Sequence, residues 1–527
     1  MTAIFQMYGL RADRKAEWYN RGYPVAQWDY QEQLYHDMEY IFEGRWLEDT
    51  ISESDTRPKY PLRFDPFELP VMFHVAFLFG QVPDNAKARV TFQAEMWKNG
   101  EKQATKTASG QAEKVTAFLN TLWQQNEGHN ILSVMAQDCQ VYGGTVGGVY
   151  YDPTRRQDHY PIRIYSPEIQ TFYPVWGSRQ YDDLLEVIIA YGITSVQAKH
   201  LGVELERTND TGLYIEHWKQ DSYEITVDDK LVKVLGLPAT GKPVGGVIPY
   251  VYIPHPPRVG FYGRSLLWKK LGMAKEVNEQ MASVGDIIQE EAVNIPAVRN
   301  TRDVRVRELG HGKVVLDIGF AQGDRVPDIL WPNARGSSVS SADDHVSTLL
   351  SRLWMSMYCP DVLFGGGGSS QRSSASFAFM ALPLINHINT ERSHFSTGLS
   401  ALNSHILHIA ADKGIAGITQ EMADNAVVSC NWYPMLPRDV LEEVTSVIAR
   451  VTAKIMSPET AIEKIGDILD IEGEMDKIKA WREETEESRQ KAFSGAGSGQ
   501  MAGVQSAQAV KAAESTEASS KSITQGE

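Results

Sequence analysis

Residues 359–377, CPDVLFGGGGSSQRSSASF, are followed by residues 378–414, AFMALPLINHINTERSHFSTGLSALNSHILHIAADKG. In the second segment, apolar residues recur at three- and four-residue steps, which predicts one long helix with a buried face. At 1.5 Å per residue, a helix of about 37 residues is roughly 55 Å long. The predicted buried face consists of Leu384, Ile388, Phe395, Leu399, Leu402, Ile406 and Ile409.

The two ends of this helix carry recognisable signals. Ser373 or Ser374 can cap its start, and Gly414 can end it. Pro383 lies inside the predicted helix, where proline removes a backbone donor and clashes one turn back, so we expect a kink there. Glycines occupy positions 365–368 just before the helix. The sequence therefore predicts a mobile tip on a stiff arm.

Size and composition bound the class of protein. The chain has 527 residues, enough for about three or four domains. Hydrophobic residues are 42% and charged residues 22% of the sequence, which is typical of a globular soluble protein. The net charge of −16 argues against a protein that coats nucleic acid with basic faces. The most apolar run, VMFHVAFLFG at 71–80, is too short to span a bilayer and predicts a buried helix.

Before the glycine stretch, the pattern changes from helices to strands and back to helices. We predict helices over most of residues 1–80, and one further helix that ends at Gly143 and Gly144. Strands follow in an α+β region, with a three-stranded meander in LYIEHWK, YEITVDD and KLVKVLG. A long helix capped by Ser265, a small insert with strand-like pieces at 296–336 and a helix over about 341–358 lead into the glycine loop.

Sequence motifs for catalysis and metal binding give little support for an enzyme. GLPATGKP at 236–243 has the spacing of a phosphate-binding loop, but Pro243 stands where that motif needs Ser or Thr at the start of a helix. His387, His394 and His405 share a helix face but are too far apart to hold one metal ion, which favours a polar or solvated stripe. We therefore predict no catalysis, no cofactor and no metal.

The small insert is mildly basic. Its cations are Arg299, Arg302, Arg305, Arg307, Lys313 and Arg325. One interpretation is alternating surface charge; the other is a contact surface for DNA phosphates or an acidic partner. Within the Gly-Ser tip, formed by Gly365, Gly366, Gly367, Gly368, Ser369, Ser370, Gln371 and Arg372, the one charge is Arg372, which could touch a phosphate.

Four segments, in this order and spacing, resemble the portal protein (head–tail connector) of tailed bacteriophages. The first is YGGTVGGVYYDP followed by RIYSPEIQTFYPVW, and the second is VIPYVYIPHPP leading into GRSLLWKKLGMAKEVNEQMASVGDIIQEEA. The third is CPDVLFGGGGSSQRSSASFAFMAL, and the fourth runs from LPRDVLEEVTSVIARV to MDKIKAWREE near the C-terminal end. None of the four segments is specific to this family by itself, and the resemblance rests on their order and spacing together.

The resemblance implies an α+β, portal-like fold that is mostly helical, with long stem helices, a kinked long helix, an α+β wing and a small β-containing clip. In the N-terminal part, the implied segments are the wing (1–262), the first stem helix (263–295), the clip (296–336) and the second stem helix (337–358). They are followed by the tunnel loop (359–374), the long kinked helix (375–413), a return strand to the wing (414–436), the crown helices (437–493) and a disordered tail (494–527).

The resemblance also implies a function and a set of partners. Portal proteins form a ring, usually of twelve copies, at one capsid vertex of the virion, and the ring is a channel for DNA packaging and genome ejection. The implied partners are other copies of the chain, double-stranded DNA without sequence preference, the terminase large subunit, head–tail adaptor or tail proteins, and the major capsid and scaffolding proteins, with no membrane. Assembly would take place in the host cytoplasm. The alternatives are another ring-forming virion protein, such as an adaptor, and a nucleotide-driven DNA enzyme.

Overall fold

The computed structural model describes part of the chain. The described residues are 12–49, 63–80, 82, 89–103, 105–177, 184–205, 211–234, 237–292, 297–299, 304–308, 314–318, 328–330, 336–364, 379–435, 440–453, 455–458, 460–461 and 478–481. The chain divides into two compact units, Met1–Leu436 and Pro437–Glu527.

The described secondary structure mixes helices with antiparallel sheets. The helices are α1 (Ala12–Asn20), α2 (Val25–Phe42), α3 (Trp46–Asp49), α4 (Glu68–Phe79), α5 (Lys106–Gln125), α6 (Gly128–Tyr142), α7 (Ser195–His200), α8 (Leu271–Ala292), α9 (Gly336–Met355), α10 (Leu382–Asp412), α11 (Gln420–Asn425) and α12 (Val440–Thr452). The strands are β1 (Val90–Lys98), β2 (Glu101–Lys102), β3 (Gly144–Tyr151), β4 (Ile162–Tyr165), β5 (Phe172–Trp176), β6 (Leu184–Thr194), β7 (Thr211–Lys219), β8 (Tyr223–Val227), β9 (Lys230–Leu231), β10 (Thr240–Gly241), β11 (Tyr250–Pro254), β12 (Arg258–Val259), β13 (Tyr262–Gly263), β14 (Ala297–Arg299), β15 (Val304–Glu308), β16 (Val314–Ile318), β17 (Asp328–Leu330) and β18 (Ala426–Trp432).

Helix α10 is the centre of the main hydrophobic core. Its predicted buried face is confirmed, because each of the seven apolar residues named above is at most 1% exposed. The helix packs against α4, β3, β11 and β18. Gly398 lies where α10 meets β11, and a Cβ added there would come within 2.7 Å of Cδ1 of Ile253. The two elements therefore approach more closely than any larger residue allows.

The described part of α10 begins at Leu382, and the predicted caps Ser373 and Ser374 lie outside the described residues. Phe379 and Met380 are helical, Ala381 forms a turn, and α10 begins at Leu382 with Pro383 in its first turn. In the first turn of a helix the missing N–H of proline has no intrahelical partner to lose. The structure thus places Pro383 at the beginning of the described helix, directly after a break at Ala381.

The strands between α6 and α8 build two larger antiparallel sheets and a two-stranded ribbon of β12 and β13. One has the order β10-β8-β7-β6-β5, with β9 paired to β8, and contains the predicted meander. The other has the order β11-β3-β4 and lies against α6 and α10. A second hydrophobic core lies on the six-stranded sheet, with Trp218 and Tyr223 stacked at 4.5 Å between ring centroids.

A third sheet joins distant parts of the chain. Strand β18 follows α10 and pairs with β1 over seven residues, from Val90 opposite Trp432 to Met96 opposite Ala426. Local sequence does not predict the pairing of β1, because its partner strand lies far along the chain. The predicted return strand after the long helix thus joins a sheet in the N-terminal third of the chain.

Helices α8 and α9 pack against each other, and the β insert lies between them in the sequence. Within the insert, β15 and β16 form an antiparallel hairpin, and β14 pairs with β17 around it in sequence. The predicted helix start at Ser265 is wrong, since α8 begins at Leu271. The intervening residues form turns, and Lys269 has a φ of 61°, a left-handed conformation that an α-helix cannot contain.

One predicted helix is two helices in the structure. The sequence predicts one helix from Leu119 up to Gly143, but α5 ends at Gln125 and α6 begins at Gly128, within a stretch, residues 124–130, that has no apolar side chain. Glu127 between them has a φ of 52°, and a Cβ at Gly128 would lie 2.9 Å from the Trp123 ring. The close approach to Trp123 explains why glycine stands at the turn, a tertiary contact that periodicity does not reveal.

The second unit contains α12 and short helical pieces at 460–461 and 478–481. Ser457 acts as the predicted cap, because its Oγ accepts a hydrogen bond from the Thr460 N–H at 3.2 Å. The predicted disordered tail lies outside the described residues. Among the helices described here, none is both long enough and apolar enough to cross a membrane.

Candidate functional site

The glycine tip itself, residues 365–372, lies outside the described residues, but the segment that leads into it is well packed. After α9, residues Asp361–Phe364 form a 3-10 turn. The Phe364 ring contacts Trp354 at 4.0 Å and Phe73 at 5.2 Å between centroids. The Trp354 indole N–H donates to the carbonyl of Pro66 at 3.2 Å. The chain therefore enters the tip from a fixed aromatic anchor.

The predicted clip cations are distributed over the insert. Arg299 lies on β14, and Arg305 and Arg307 lie on β15. In the hairpin register Arg305 stands opposite Asp317, whereas Arg307 stands opposite Val315. The other three predicted cations, Arg302, Lys313 and Arg325, lie outside the described residues.

A buried polar cluster lies where α4, α6, α10 and the end of α9 converge. Its members are His74, Gln140, His255, His387 and Glu391, and none is more than 9% exposed. One residue from the segment between α9 and the aromatic anchor also contacts the cluster. That residue, Tyr358, stacks on the His387 ring at 4.0 Å with the planes 10° apart.

Arg392 fixes α4 against α10 and so aims His74 into the cluster. Its guanidinium donates to the carbonyls of Leu78 at 2.8 Å and Phe77 at 3.1 Å, at the C-terminal end of α4. A cation at this helix end also meets the negative end of the helix dipole. One turn earlier, the His74 ring comes within 5.4 Å of the His387 ring, measured between centroids.

The histidines of the cluster are connected to backbone carbonyls. His74 Nε2 lies 2.8 Å from the carbonyl oxygen of Met357, and His255 Nδ1 lies 2.7 Å from that of Arg264. His387 Nε2 lies 3.4 Å from His255 Nε2. Burial lowers the pKa of His74 to about 3 and the pKa of His387 to about 4, so both rings are neutral at physiological pH.

Glu391 brings a carboxyl group into the same site. One of its oxygens, Oε1, accepts a hydrogen bond from the side-chain amide of Gln140 on α6. Its other oxygen, Oε2, is buried and has no hydrogen-bond partner among the described residues. Burial raises the pKa of Glu391 to about 8. A carboxylate here is costly unless a cation accompanies it.

The prediction for the three histidines was a polar or solvated stripe, and the solvated alternative is wrong for His387, which is buried in the polar cluster. The sequence contained a usable signal, because Glu391 occupies a position on the buried face of α10 between Ile388 and Phe395. It also stands four residues after His387, on the same side of the helix. A charged residue on an otherwise apolar face indicates a buried polar site, but its partners His74 and His255 come from distant segments.

The segment with the spacing of a phosphate-binding loop has a different structure. Within the described part of this segment, Thr240–Gly241 form a short strand and residues Val244–Gly246 form a 3-10 turn. Gly245 packs against the backbone of α10 at His408. No helix follows Lys242 in the described stretch up to β11, so the anion-binding helix terminus of that motif is not formed there.

Comparison with protein families adds an independent observation. Residues 339–491 match the family model described as phage portal protein, SPP1 Gp6-like. The chain is similar to phage portal proteins. No curated protein matches the chain.

The portal match covers a defined part of the fold. It begins within α9, includes the glycine tip, α10 and β18, and continues through α12. His387 and Glu391 thus lie inside the portal-like residues, while His74 and His255 lie in the N-terminal half outside them. The resemblance noted from the sequence is confirmed over these residues.

Proposed function

We propose that this chain assembles into a ring of twelve copies at one capsid vertex and forms the channel through which DNA is packaged and later ejected. The observation that carries the proposal is the portal match over residues 339–491, which includes the second stem helix, the glycine tip and the long helix. The ring itself has no catalytic role in this proposal, and the packaging motor supplies the ATP hydrolysis.

The surface of the stem helices supports assembly into a ring. In the single chain, Met273 and Ile288 on α8 and Met355 on α9 are between 37% and 50% exposed. The spacing of apolar residues along this segment predicts a narrow apolar seam, formed by Leu267, Leu271, Ala274, Met281, Val284 and Ile288. Its early members Leu267 and Ala274 are fully buried, whereas Ile288 is exposed. Exposed apolar residues that continue a buried seam indicate a surface covered by another chain. Neighbouring copies related by rotation would cover this surface in a closed ring.

Two further features support a DNA channel. The net charge of −16 disfavours tight binding of the protein to DNA phosphates. Because every phosphate that a protein neutralises adds to its salt-dependent affinity for DNA, few such contacts leave the DNA free to slide. On the far side of the tip, Phe379, Met380 and Leu382 are between 37% and 75% exposed at the beginning of the long helix. In the proposed ring these residues begin the long kinked helix next to the tunnel loop, where another copy of the chain would cover them.

The proposed partners follow from the same assignment. The clip, residues 296–336, docks the terminase large subunit during packaging and the head–tail adaptor or tail proteins afterwards. The wing contacts the major capsid and scaffolding proteins. The alternating charges of the clip suit a surface that exchanges one partner for another, because such contacts are steered by charge and weakened by salt.

The test is negative-stain electron microscopy of the purified protein together with mass photometry. We expect rings of about twelve subunits with a central hole wide enough for duplex DNA. Ile288→Glu should reduce the ring fraction, whereas Val196→Glu, a change at an exposed apolar residue on α7, should leave it unchanged. A monomer or dimer at all protein and salt concentrations would contradict the proposal.

A further inference from the structure

Three buried side chains from two helices meet at one point of the polar cluster. His74 on α4 and His387 and Glu391 on α10 each offer a potential ligand atom, and these three atoms lie within 4.8 Å of one another. All three residues are buried, two of them completely. Two histidines and a carboxylate are a common ligand set for divalent transition metals.

The hydrogen bonds of His74 leave one nitrogen available for such an ion. Its Nε2 is 2.8 Å from the Met357 carbonyl, which can only accept, so Nε2 carries the proton and donates it. In a neutral ring the other nitrogen, Nδ1, then has a free lone pair. That Nδ1 is buried and has no partner among the described residues. A backbone carbonyl behind a histidine is also the usual support of a metal ligand.

The same argument assigns the tautomer of His387. His255 Nδ1 donates to the Arg264 carbonyl at 2.7 Å, so His255 Nε2 is an acceptor. His387 Nε2 lies 3.4 Å from that acceptor and therefore carries the proton. The remaining nitrogen of His387, Nδ1, has the lone pair. His255 thus acts as the support of His387.

Glu391 completes the arrangement. Gln140 donates to its Oε1, which leaves the buried Oε2 without a partner in the described part of the chain. Glu391 stands four residues after His387, so the two side chains project from successive turns of one helix face. His74 Nδ1 and Glu391 Oε2 are thus buried ligand atoms without a partner in the described part of the chain, and the tautomer of His387 assigns its Nδ1 as the third.

We propose that His74, His387 and Glu391 bind one divalent transition-metal ion, with Zn²⁺ as the probe of choice. Zn²⁺ binds nitrogen and oxygen ligands at about 2.0–2.2 Å, so side-chain rotation has to draw the three atoms together. A water molecule can fill the fourth position of a tetrahedral site. The ion would provide the positive charge that a buried carboxylate requires.

The consequence would be a cross-link beside the base of the glycine tip. The ion would join α4 to α10, while the support of His74 is the carbonyl of Met357, the residue before Tyr358. Tyr358 stacks on the second histidine ligand, His387. Metal binding would thus fix the segment from which the chain enters the tip. The proposal stands on contacts within one chain and does not depend on ring assembly.

The test uses untagged full-length protein that has been dialysed against a chelator and then against Zn²⁺. We expect about one Zn²⁺ per chain by mass spectrometry of the metal content, a higher Tm than in the metal-free protein, and visible absorption bands with Co²⁺ in place of Zn²⁺. Glu391→Gln keeps the size of the side chain and an oxygen for Gln140, and it should weaken Zn²⁺ binding by at least about 10-fold.

Two further variants separate metal binding from a folding defect. His387→Phe removes both nitrogens but keeps a ring for Tyr358 to stack on, and should also lose the ion. His408→Asn is the control, because His408 lies on the same helix beside Asp424, at 3.3 Å, but outside the cluster; this variant should bind Zn²⁺ like the wild type. Wild-type protein without stoichiometric Zn²⁺, or a Glu391→Gln variant that binds it equally well, would overturn the proposal.

Discussion

Tyr358 lies flat on His387, with ring centroids 4.0 Å apart and planes inclined by 10°. Tyr358 follows α9, and His387 lies one turn into α10. The stack therefore joins the two segments that flank the glycine tip in sequence. Tyr358 has a φ of 60°, and this left-handed backbone turns the chain from the helix towards the aromatic anchor. The stack therefore connects the segment that leads into the tip directly with the buried polar cluster.

Replacing Tyr358 by alanine should destabilise the protein by about 0.5–1.5 kcal/mol beyond the loss of buried area, because aromatic pairing contributes that much. Urea denaturation monitored by circular dichroism measures the effect. Tyr358→Phe is the matched control, since it keeps the ring and should remain close to wild type. Equal loss in both variants would assign the effect to the hydroxyl group instead of the stack.

Gly398→Ala should destabilise the protein although alanine favours a helix. Its Cβ would meet the Ile253 side chain, and such overpacking costs about 1–3 kcal/mol. Gly110→Ala on α5 is the control, because no atom lies within 4 Å of its added Cβ, and it should stabilise by about 0.5–1 kcal/mol. In a double-mutant cycle, Ile253→Ala should reduce the cost of Gly398→Ala; strict additivity would exclude the proposed clash.

Asp138 should make stability depend on pH. Burial raises its pKa to about 7, so the folded state binds its proton more tightly than the unfolded state does. Wild-type stability should therefore fall as pH rises from about 4 to about 7, by at most about 1.4 kcal/mol per pH unit from this group. Asp138→Asn removes the effect, so its advantage over wild type should grow over this range in urea titrations. A constant difference would contradict the shifted pKa.

The glycine tip can be tested through DNA packaging. Changing Gly365 to Gly368 into alanines should stiffen the tip, because alanine restricts the backbone conformations open to glycine. We expect rings to assemble normally and the amount of packaged DNA to fall, measured as nuclease-protected DNA per capsid. Normal packaging by this variant would argue against a moving loop.

The clip can be tested with charge reversals chosen from the hairpin register. Arg307→Glu places the new carboxylate opposite Val315 and avoids a like-charge pair across the strands. Arg305→Glu should be combined with Asp317→Lys, which keeps an opposite-charge pair. Both changes should weaken binding of the terminase large subunit or the adaptor in surface-plasmon measurements. Unchanged docking would favour plain alternating surface charge.

The elements that could be predicted from the sequence are those determined by local periodicity. The buried face of α10 is correct at all seven positions, because helical spacing alone decides which side of a long helix is apolar. The meander of β7 and β8 followed by β9 was also found, because turn residues separate strands that are neighbours in the chain. The predicted cap at Ser457 belongs to the same class of local signal.

The features that could not be predicted depend on residues far apart in sequence. Strand β1 needs its partner β18, and the break at Glu127 accompanies the packing of Gly128 on Trp123. The polar cluster shows this most clearly. Glu391 was visible as a charge on an apolar face, but a sequence cannot show that α4 supplies His74 beside it.

The pairing of β1 with β18 has a consequence for how the chain is made. The Ser429 hydroxyl donates to the Gln93 carbonyl over a sequence separation of 336 residues. Helices α5 to α11 and strands β2 to β17 are encoded between these strands, so β1 leaves the ribosome long before its partner exists. At about 5–20 residues per second, roughly 17–70 seconds separate the two. During that time the edge of β1 stays open to other chains, and a factor that covers it would help to keep the growing chain soluble.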